Sequence, residues 1–149
     1  EKYFAQCDEI WHAGDIGCVE VLTRLRAIAP VRAVYGNADG GELRRELHDI
    51  EVFEVEGIKV LLTHIGGYPG KYAPGIRRRL LLERPNLMVC GHSHILKVIP
   101  DSTLGTLTIN PGAAGTQGWQ AVRTLIILTI TAGTIADCEI VELARVNPD

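Results

Sequence analysis

The sequence has little that would staple, anchor or steer it by bulk charge. Its four cysteines, Cys7, Cys18, Cys90 and Cys138, stand far apart with no C-x-x-C pair. A chain of 149 residues can fold without covalent staples, so they read as reduced thiols in cytoplasm. The longest apolar run, Leu125 to Ile130, is broken by Thr129 and falls far short of the ~20 residues of a membrane span. No basic leader with an apolar stretch and cleavage site is seen from Glu1 on, so no secretory signal is expected. Charge of one sign is also missing: 15 Lys+Arg against 18 Asp+Glu leave a net charge of -3, which argues against bulk nucleic-acid binding. The phosphate-loop pattern G-x-x-x-x-G-K-[ST] is absent, as are repeats and linkers. What remains, 46% hydrophobic and 22% charged, is one globular domain, residues 1–149.

Residues Lys2 to Gln6 read as the end of a helix and Glu9 to His12 as a short strand. From Glu20 to Ala29, Val21, Leu22, Leu25 and Ile28 recur at helical spacing until Pro30. A second strand, Val31 to Tyr35, stops at the polar loop 36–41. Ile50 to Glu56 and Ile58 to Thr63 flank Gly57 as two strands around a tight turn. A Gly- and Pro-rich loop from Ile65 to Gly75 precedes a helix from Ile76 to Glu83 and a buried strand, Leu87 to Cys90. Four β-rich stretches complete the chain: Leu96–Ile99, Thr106–Ile109, Arg123–Thr131 and Thr134–Glu142, the last two a hairpin across Ala132-Gly133. Early strands alternate with helices and later ones form hairpins. The expected class is α/β, a two-sheet β-sandwich with helices on its outer faces.

Gly14-Asp15, Gly36-Asn37, His64 and Gly91-His92-Ser93-His94 each fall at the C-terminal end of a predicted strand. In α/β sheets that edge binds ligands. A carboxylate, an amide oxygen and three imidazoles form a mixed O/N set suited to Mn²⁺, Fe²⁺, Zn²⁺ or Ni²⁺. His92 and His94, two apart in a loop, can diverge around two ions, and Asp15 has two oxygens with which to bridge them. Such a pair acidifies a shared water and clamps the oxygens of an attacked phosphoryl group.

These residues carry a resemblance. The order Gly14-Asp15, Gly36-Asn37-Ala38-Asp39, Thr63-His64, Gly91-His92-Ser93-His94 resembles that of the calcineurin-like metallophosphoesterase superfamily, D-x-H, G-D, G-N-[HC]-[DE], H, G-H-x-H, and within it the small bacterial and archaeal phosphodiesterases. Asn110-Pro111-Gly112 is similar to a structural turn of the small members. The resemblance implies the metallophosphoesterase fold and a cofactor of two divalent ions, Mn²⁺ first, with Zn²⁺, Fe²⁺ or Ni²⁺ as alternatives. It implies that Asp15 bridges both ions, that Asn37, His64 and His92 complete the second, and that His94 serves the first. Asp15, Asn37 and His92 would carry catalysis, by in-line attack of a metal-bridging hydroxide on a small phosphate ester, most simply a diester. The Asp and His of D-x-H have no counterpart after Glu1, so the chain is expected to lack its first strand. The resemblance leaves two competitors, a phosphomonoesterase and a non-catalytic scaffold like the small retromer subunit with this fold. A homodimer is also open, because small relatives often pair.

Ala38 occupies the position where many relatives carry a His thought to protonate the leaving group. General acid catalysis typically contributes ~10²–10⁴-fold. Its loss predicts modest rates and a preference for good leaving groups. His12 stands open between a partner that orients a ligand and a packed polar residue. Asp39 is open between steadying the Asn37 loop and capping a short helix, and Ile65 to Tyr72 reads as a rim that shapes substrate entry. Cys18, Cys90 and Trp11 are expected in the core and His48 at the surface. Arg77-Arg78-Arg79 is a solvated face or, alternatively, greets a phosphate.

Overall fold

The computed structural model describes residues 2–115 and 122–143. In chain order the elements are β1 (Ile10–His12), α1 (Val19–Arg26), β2 (Val31–Ala33), α2 (Gly41–Glu46), β3 (Ile50–Val55), β4 (Ile58–Thr63), β5 (Gly67–Tyr68), β6 (Lys71–Tyr72), α3 (Ile76–Glu83), β7 (Leu87–Val89), β8 (Lys97–Asp101), β9 (Thr106–Asn110), β10 (Thr124–Thr131) and β11 (Thr134–Glu142).

A five-stranded sheet, in the order β3-β4-β7-β9-β8, is the centre. Its inner strands β4, β7 and β9 run parallel and its edges are antiparallel. Alternation sends Ile58, Val60, Leu62, Leu87, Val89 and Ile109 into one core and Leu61, Met88 and Cys90 into another, so both faces are buried. Strands covered on both sides need apolar residues at successive positions, which is why 60–62 and 87–90 read as continuous hydrophobic runs.

The first core is closed by Val34 together with Trp11, Ala13, Ile126, Leu128, Ile130 and Ile135, contributed by the parallel pair β1–β2, the residues just beyond it and the hairpin β10–β11. The second is closed by α3, through Ile76 and Leu80. A third cluster, Ile16, Leu22, Ala33 and Leu43, seats α1 and α2 on the outside of β1–β2. The layers are therefore helix, sheet, sheet, helix. The hairpins β3–β4 and β10–β11 turn through Glu56-Gly57 and Ala132-Gly133, all four at positive φ as a tight two-residue turn requires. The two tips touch, with Gly133 N–H donating to Glu56 O at 2.6 Å.

Several expectations are corrected. Residues 2–6 form turns rather than a helix end. Cys18 is exposed, because it precedes the first turn of α1 as its N-cap residue instead of lying on the helix's buried face. The loop after His64 contains the two-stranded ribbon β5–β6. Residues 41–46, which begin inside the expected polar loop and show no helical period, form α2. Cys90 is buried, Trp11 packs edge-on against Phe53 with ring centroids 5.1 Å apart, and His48 is exposed, as expected. Among the described residues no helix is long and apolar enough to cross a membrane.

Candidate metal centre

Parallel pairing brings the C-terminal ends of β1 and β2 to one edge of their layer, and those of β4 and β7 to the facing edge of the central sheet. Asp15 and Asn37 come after the first pair; His64 and His92 come after the second. Four donor atoms meet there. His64 Nε2 lies 2.8 Å from Asn37 Oδ1 and 3.3 Å from Asp15 Oδ2. His92 Nδ1 lies 3.2 Å from Asn37 Oδ1 and 3.3 Å from His64 Nε2. His94 shares the loop of His92 and is partly buried. Of the five candidates, the measured distances join Asp15, Asn37, His64 and His92.

The tautomer of His64 is set by its other nitrogen. Nδ1 is 2.7 Å from the Ala13 carbonyl, which can only accept, so Nδ1 carries the proton and Nε2 of the neutral ring offers a lone pair. The carboxylate and the amide oxygen are acceptors as well. His92 Nδ1 has at most one proton to give, so the four atoms converge with at most one proton between them. That deficit is what a cation satisfies. Ligands about 2.1 Å from a shared ion stand about 3.0–3.4 Å apart, and three of the four separations, at 3.2, 3.3 and 3.3 Å, match the edges of a coordination shell. Among the described residues, His, Cys, Asp and Glu alone supply no group of three able to hold a metal. The Asn37 amide, between the two rings, is what joins the set. The chemistry of the donors fits a divalent ion, and no thiolate is involved: burial pushes the Cys90 thiol up to about 11.

The loops that carry these groups are strained and braced. Asp15, His92 and His94 have φ of 57°, 68° and 61°, half of the six non-glycine residues at positive φ among those described. Such conformations cost about 1–2 kcal/mol each and persist only where surroundings enforce them. Gly14 and Gly36 permit the close approach. A Cβ at Gly14 would lie 2.6 Å from His64 Nδ1, and one at Gly36 would overlap the Asp15 carboxylate. Ala38 N–H donates to Asp15 Oδ1 at 2.9 Å, tying the Asn37 loop to the Asp15 loop.

Asp39 is buried, and its carboxylate accepts from Gly17 N–H at 3.0 Å and Gly36 N–H at 2.8 Å. Burial works to raise its pKa, but these and further backbone donors at Ile16 and Asp15 outweigh it and hold the carboxyl below its usual value. Asp39 therefore steadies the loops. The cap of α2 is Gly40, which makes no side-chain capping bond. His12 braces the chain just before Asp15, its Nδ1 accepting from Gly14 N–H at 3.1 Å. Burial drives its imidazole below the ordinary value, with His64 adding to this and Asp39 and Asp15 opposing it.

The sequence reading missed Arg44. Its guanidinium donates to the carbonyls of Asp39 at 2.8 Å and of Gly36 and Asn37 at 3.3 Å, and stacks 4.7 Å from the centre of the Tyr35 ring. A side chain that grips backbone leaves no motif. Asn110 does more than turn the chain: its amide donates to Gly91 O at 2.9 Å and Ser93 Oγ at 3.1 Å, fastening the His92 loop. Arg77 and Arg78 are exposed and Arg79 faces Glu83 at 3.8 Å, so the run on α3 behaves as a solvated face.

The sequence model of the calcineurin-like phosphoesterase superfamily domain matches residues 1–133. The chain belongs to that superfamily. A probable metallophosphoesterase of Methanothermobacter thermautotrophicus is 32% identical over 115 residues, covering 74% of this chain and 62% of the relative. The chain thus spans about three-fifths of that relative's length. Among solved structures, an archaeal phosphodiesterase superposes with a TM-score of 0.71 at 20% identity, over 91% of this chain and 83% of the other. A single mutant of Vps29 from Entamoeba histolytica gives 0.70 at 22% identity, over 96% and 87%. At such identities the likeness establishes the metallophosphoesterase fold.

Proposed function

We propose that this calcineurin-like phosphoesterase is a divalent-metal-dependent phosphodiesterase. The observation that carries the proposal is the convergence of four electron-pair donors, from two layers of the fold, with too few protons to satisfy them. Two divalent ions, Mn²⁺ first, supply an acidified water and neutralise charge on phosphoryl oxygens when bound. The protein's share is positional. Asp15 presents Oδ2 to the cluster while Oδ1 is held by Ala38 N–H, so both oxygens keep a lone pair for bridging. His64, buried and fixed by Ala13, holds its nitrogen lone pair in one direction. His92 is exposed and stands where it meets a phosphoryl oxygen arriving from solvent. His94 is assigned to the neighbouring ion. Ala38 is exposed beside Asn37 and has no proton to give, which favours diesters with stable leaving groups over monoesters.

The test compares p-nitrophenol release from bis(p-nitrophenyl) phosphate and p-nitrophenyl phosphate by the full-length protein, with Mn²⁺ and after chelation. Faster release from the diester, abolished by chelation and by His92→Ala, is the expected result. Chelation-insensitive release overturns metal dependence, and faster monoester release assigns a phosphomonoesterase instead.

A further inference from the structure

Little in the sequence of α2 favours a helix. It is six residues long, opens on Gly41, and its N-cap Gly40 makes no side-chain capping bond, whereas isolated helices shorter than about 12–15 residues are marginal in water. Side chains that reach outward seat it instead. Leu43 is buried with Ile16, Leu22 and Ala33, and Glu46 Oε1 meets Arg26 Nη1 of α1 at 2.6 Å. These two fasten the helix to its neighbours. Arg44 does something else, because it turns back onto residues 36–39, the loop that carries Asn37. Its Nε donates to Asp39 O at 2.8 Å, and its Nη2 to Gly36 O and Asn37 O, each at 3.3 Å. The amides of the same loop run to carboxylates, Gly36 N–H to Asp39 at 2.8 Å and Ala38 N–H to Asp15 at 2.9 Å. The loop is therefore held between a fixed cation on its carbonyls and two carboxylates on its amides, all of them charge-assisted hydrogen bonds. Asn37 stands in the middle of that span, with Oδ1 placed 2.8 Å from His64 Nε2 and 3.2 Å from His92 Nδ1.

Resting on the metal-dependent reading, we propose that Arg44 is a positioning residue of the metal centre, which fixes through the Asn37 backbone where Asn37 Oδ1 stands between the two imidazoles. Its contact is with the Asn37 peptide carbonyl, one side chain's length from the amide oxygen that joins the donors. Asn37 is the member of the set that bridges both rings, so a small swing of its backbone separates the donors of the central sheet from those beyond β1–β2. Groups that orient a ligand in this way govern metal affinity without touching the ion. Lysine is a poor substitute. Its ammonium is a single point, whereas the guanidinium spreads Nε and Nη2 along the loop and lays a flat face 4.7 Å from the centre of the Tyr35 ring.

The experiment separates the grip on the loop from the seating of the helix. Arg44→Ala and Arg44→Lys release the loop, whereas Glu46→Ala breaks the tie to α1 and leaves Arg44 in place. Mn²⁺ binding to the full-length proteins is measured by calorimetry, the visible absorption of the Co²⁺-saturated forms reports the geometry around the ion, and metal-free thermal unfolding checks that each variant is folded. Both Arg44 variants are expected to bind Mn²⁺ about 10–100-fold more weakly and to shift the Co²⁺ bands. Glu46→Ala should match wild type in both. Should Arg44→Ala fail to fold, Arg44→Lys, which keeps the charge and most of the stem, decides alone. Wild-type affinity or an unshifted Co²⁺ spectrum in a folded Arg44 variant overturns the positioning role, as does an equal loss in Glu46→Ala, and each leaves the metal-dependent reading standing. Failure of the wild type to bind Mn²⁺ overturns both.

Discussion

The two ends of the β1–β2 ribbon solve opposite problems. At its start, Arg32 grips Glu9 through two nitrogens at 2.9 and 3.3 Å, and Trp11 Nε1 donates to the same carboxylate at 2.9 Å. The guanidinium also lies 4.2 Å from the centre of the Phe53 ring. Every charge there has its complement, and the backbone is ordinary. Three residues beyond the ribbon's other end, acceptors face acceptors across a backbone held at positive φ. One end is satisfied by the protein itself, whereas the other gathers lone pairs with too few protons between them. Local inconsistency of this kind marks a functional site more reliably than any single residue type.

Three substitutions sharpen that contrast. The largest effect belongs to Asp15→Asn, which removes a charge from the crowded end. Metal affinity and activity should fall more than about a hundredfold, while the midpoint of metal-free thermal unfolding holds or rises. A drop in that midpoint like that of a core cavity would mean that the cluster stabilises the metal-free fold, contrary to the proposal.

Next is Asp39→Asn, where the site borrows its stability from a buried carboxylate. Losing one of the two braces to Gly17 and Gly36 should cost about 1–3 kcal/mol and weaken metal binding about 10–100-fold. Denaturant unfolding and metal titration by calorimetry measure the two losses. Unfolding without loss of affinity would show that the loops do not need this brace.

The smallest effect is Glu9→Gln at the satisfied end. Although burial works to raise the Glu9 pKa, the hydrogen bonds from Arg32 and Trp11 hold it below its usual 4.5. A carboxyl with a lowered folded-state pKa stabilises above its unfolded value and loses that contribution as pH falls through the folded one. Glu9→Gln should therefore cost about 0.5–1 kcal/mol at pH 7 and almost nothing below the lowered pKa, with metal affinity unchanged. Unfolding midpoints across pH check this, and a gap between wild type and variant that widens in acid would contradict it.

How much was readable from the chain divides along physical lines. Elements that bury apolar residues, α3 at Ile76–Glu83 and β4 at Ile58–Thr63, match the sequence reading at both ends, since burial writes itself into composition. α2 went unread because it is six residues long, opens on glycine and buries only Leu43. The β5–β6 ribbon hid in Gly67-Tyr68-Pro69-Gly70, whose turn residues outweigh its two-residue strands. The convergence of Asp15, Asn37, His64 and His92 was legible because motif spacing at strand ends is a chemical signal. The braces were not. Arg44 and Asn110 act by seizing backbone groups, and no residue pattern distinguishes a side chain that holds a carbonyl from one that faces water.

The four donors come in equal numbers from different layers, Asp15 and Asn37 from the β1–β2 side and His64 and His92 from the central sheet. An ion seated among them is thereby a rivet through two plates. Its loading state should register far from the chemistry, in how tightly the plates clasp: above its Kd, Mn²⁺ should raise resistance to denaturant with the logarithm of its concentration, and amides buried between the sheets should exchange more slowly with solvent.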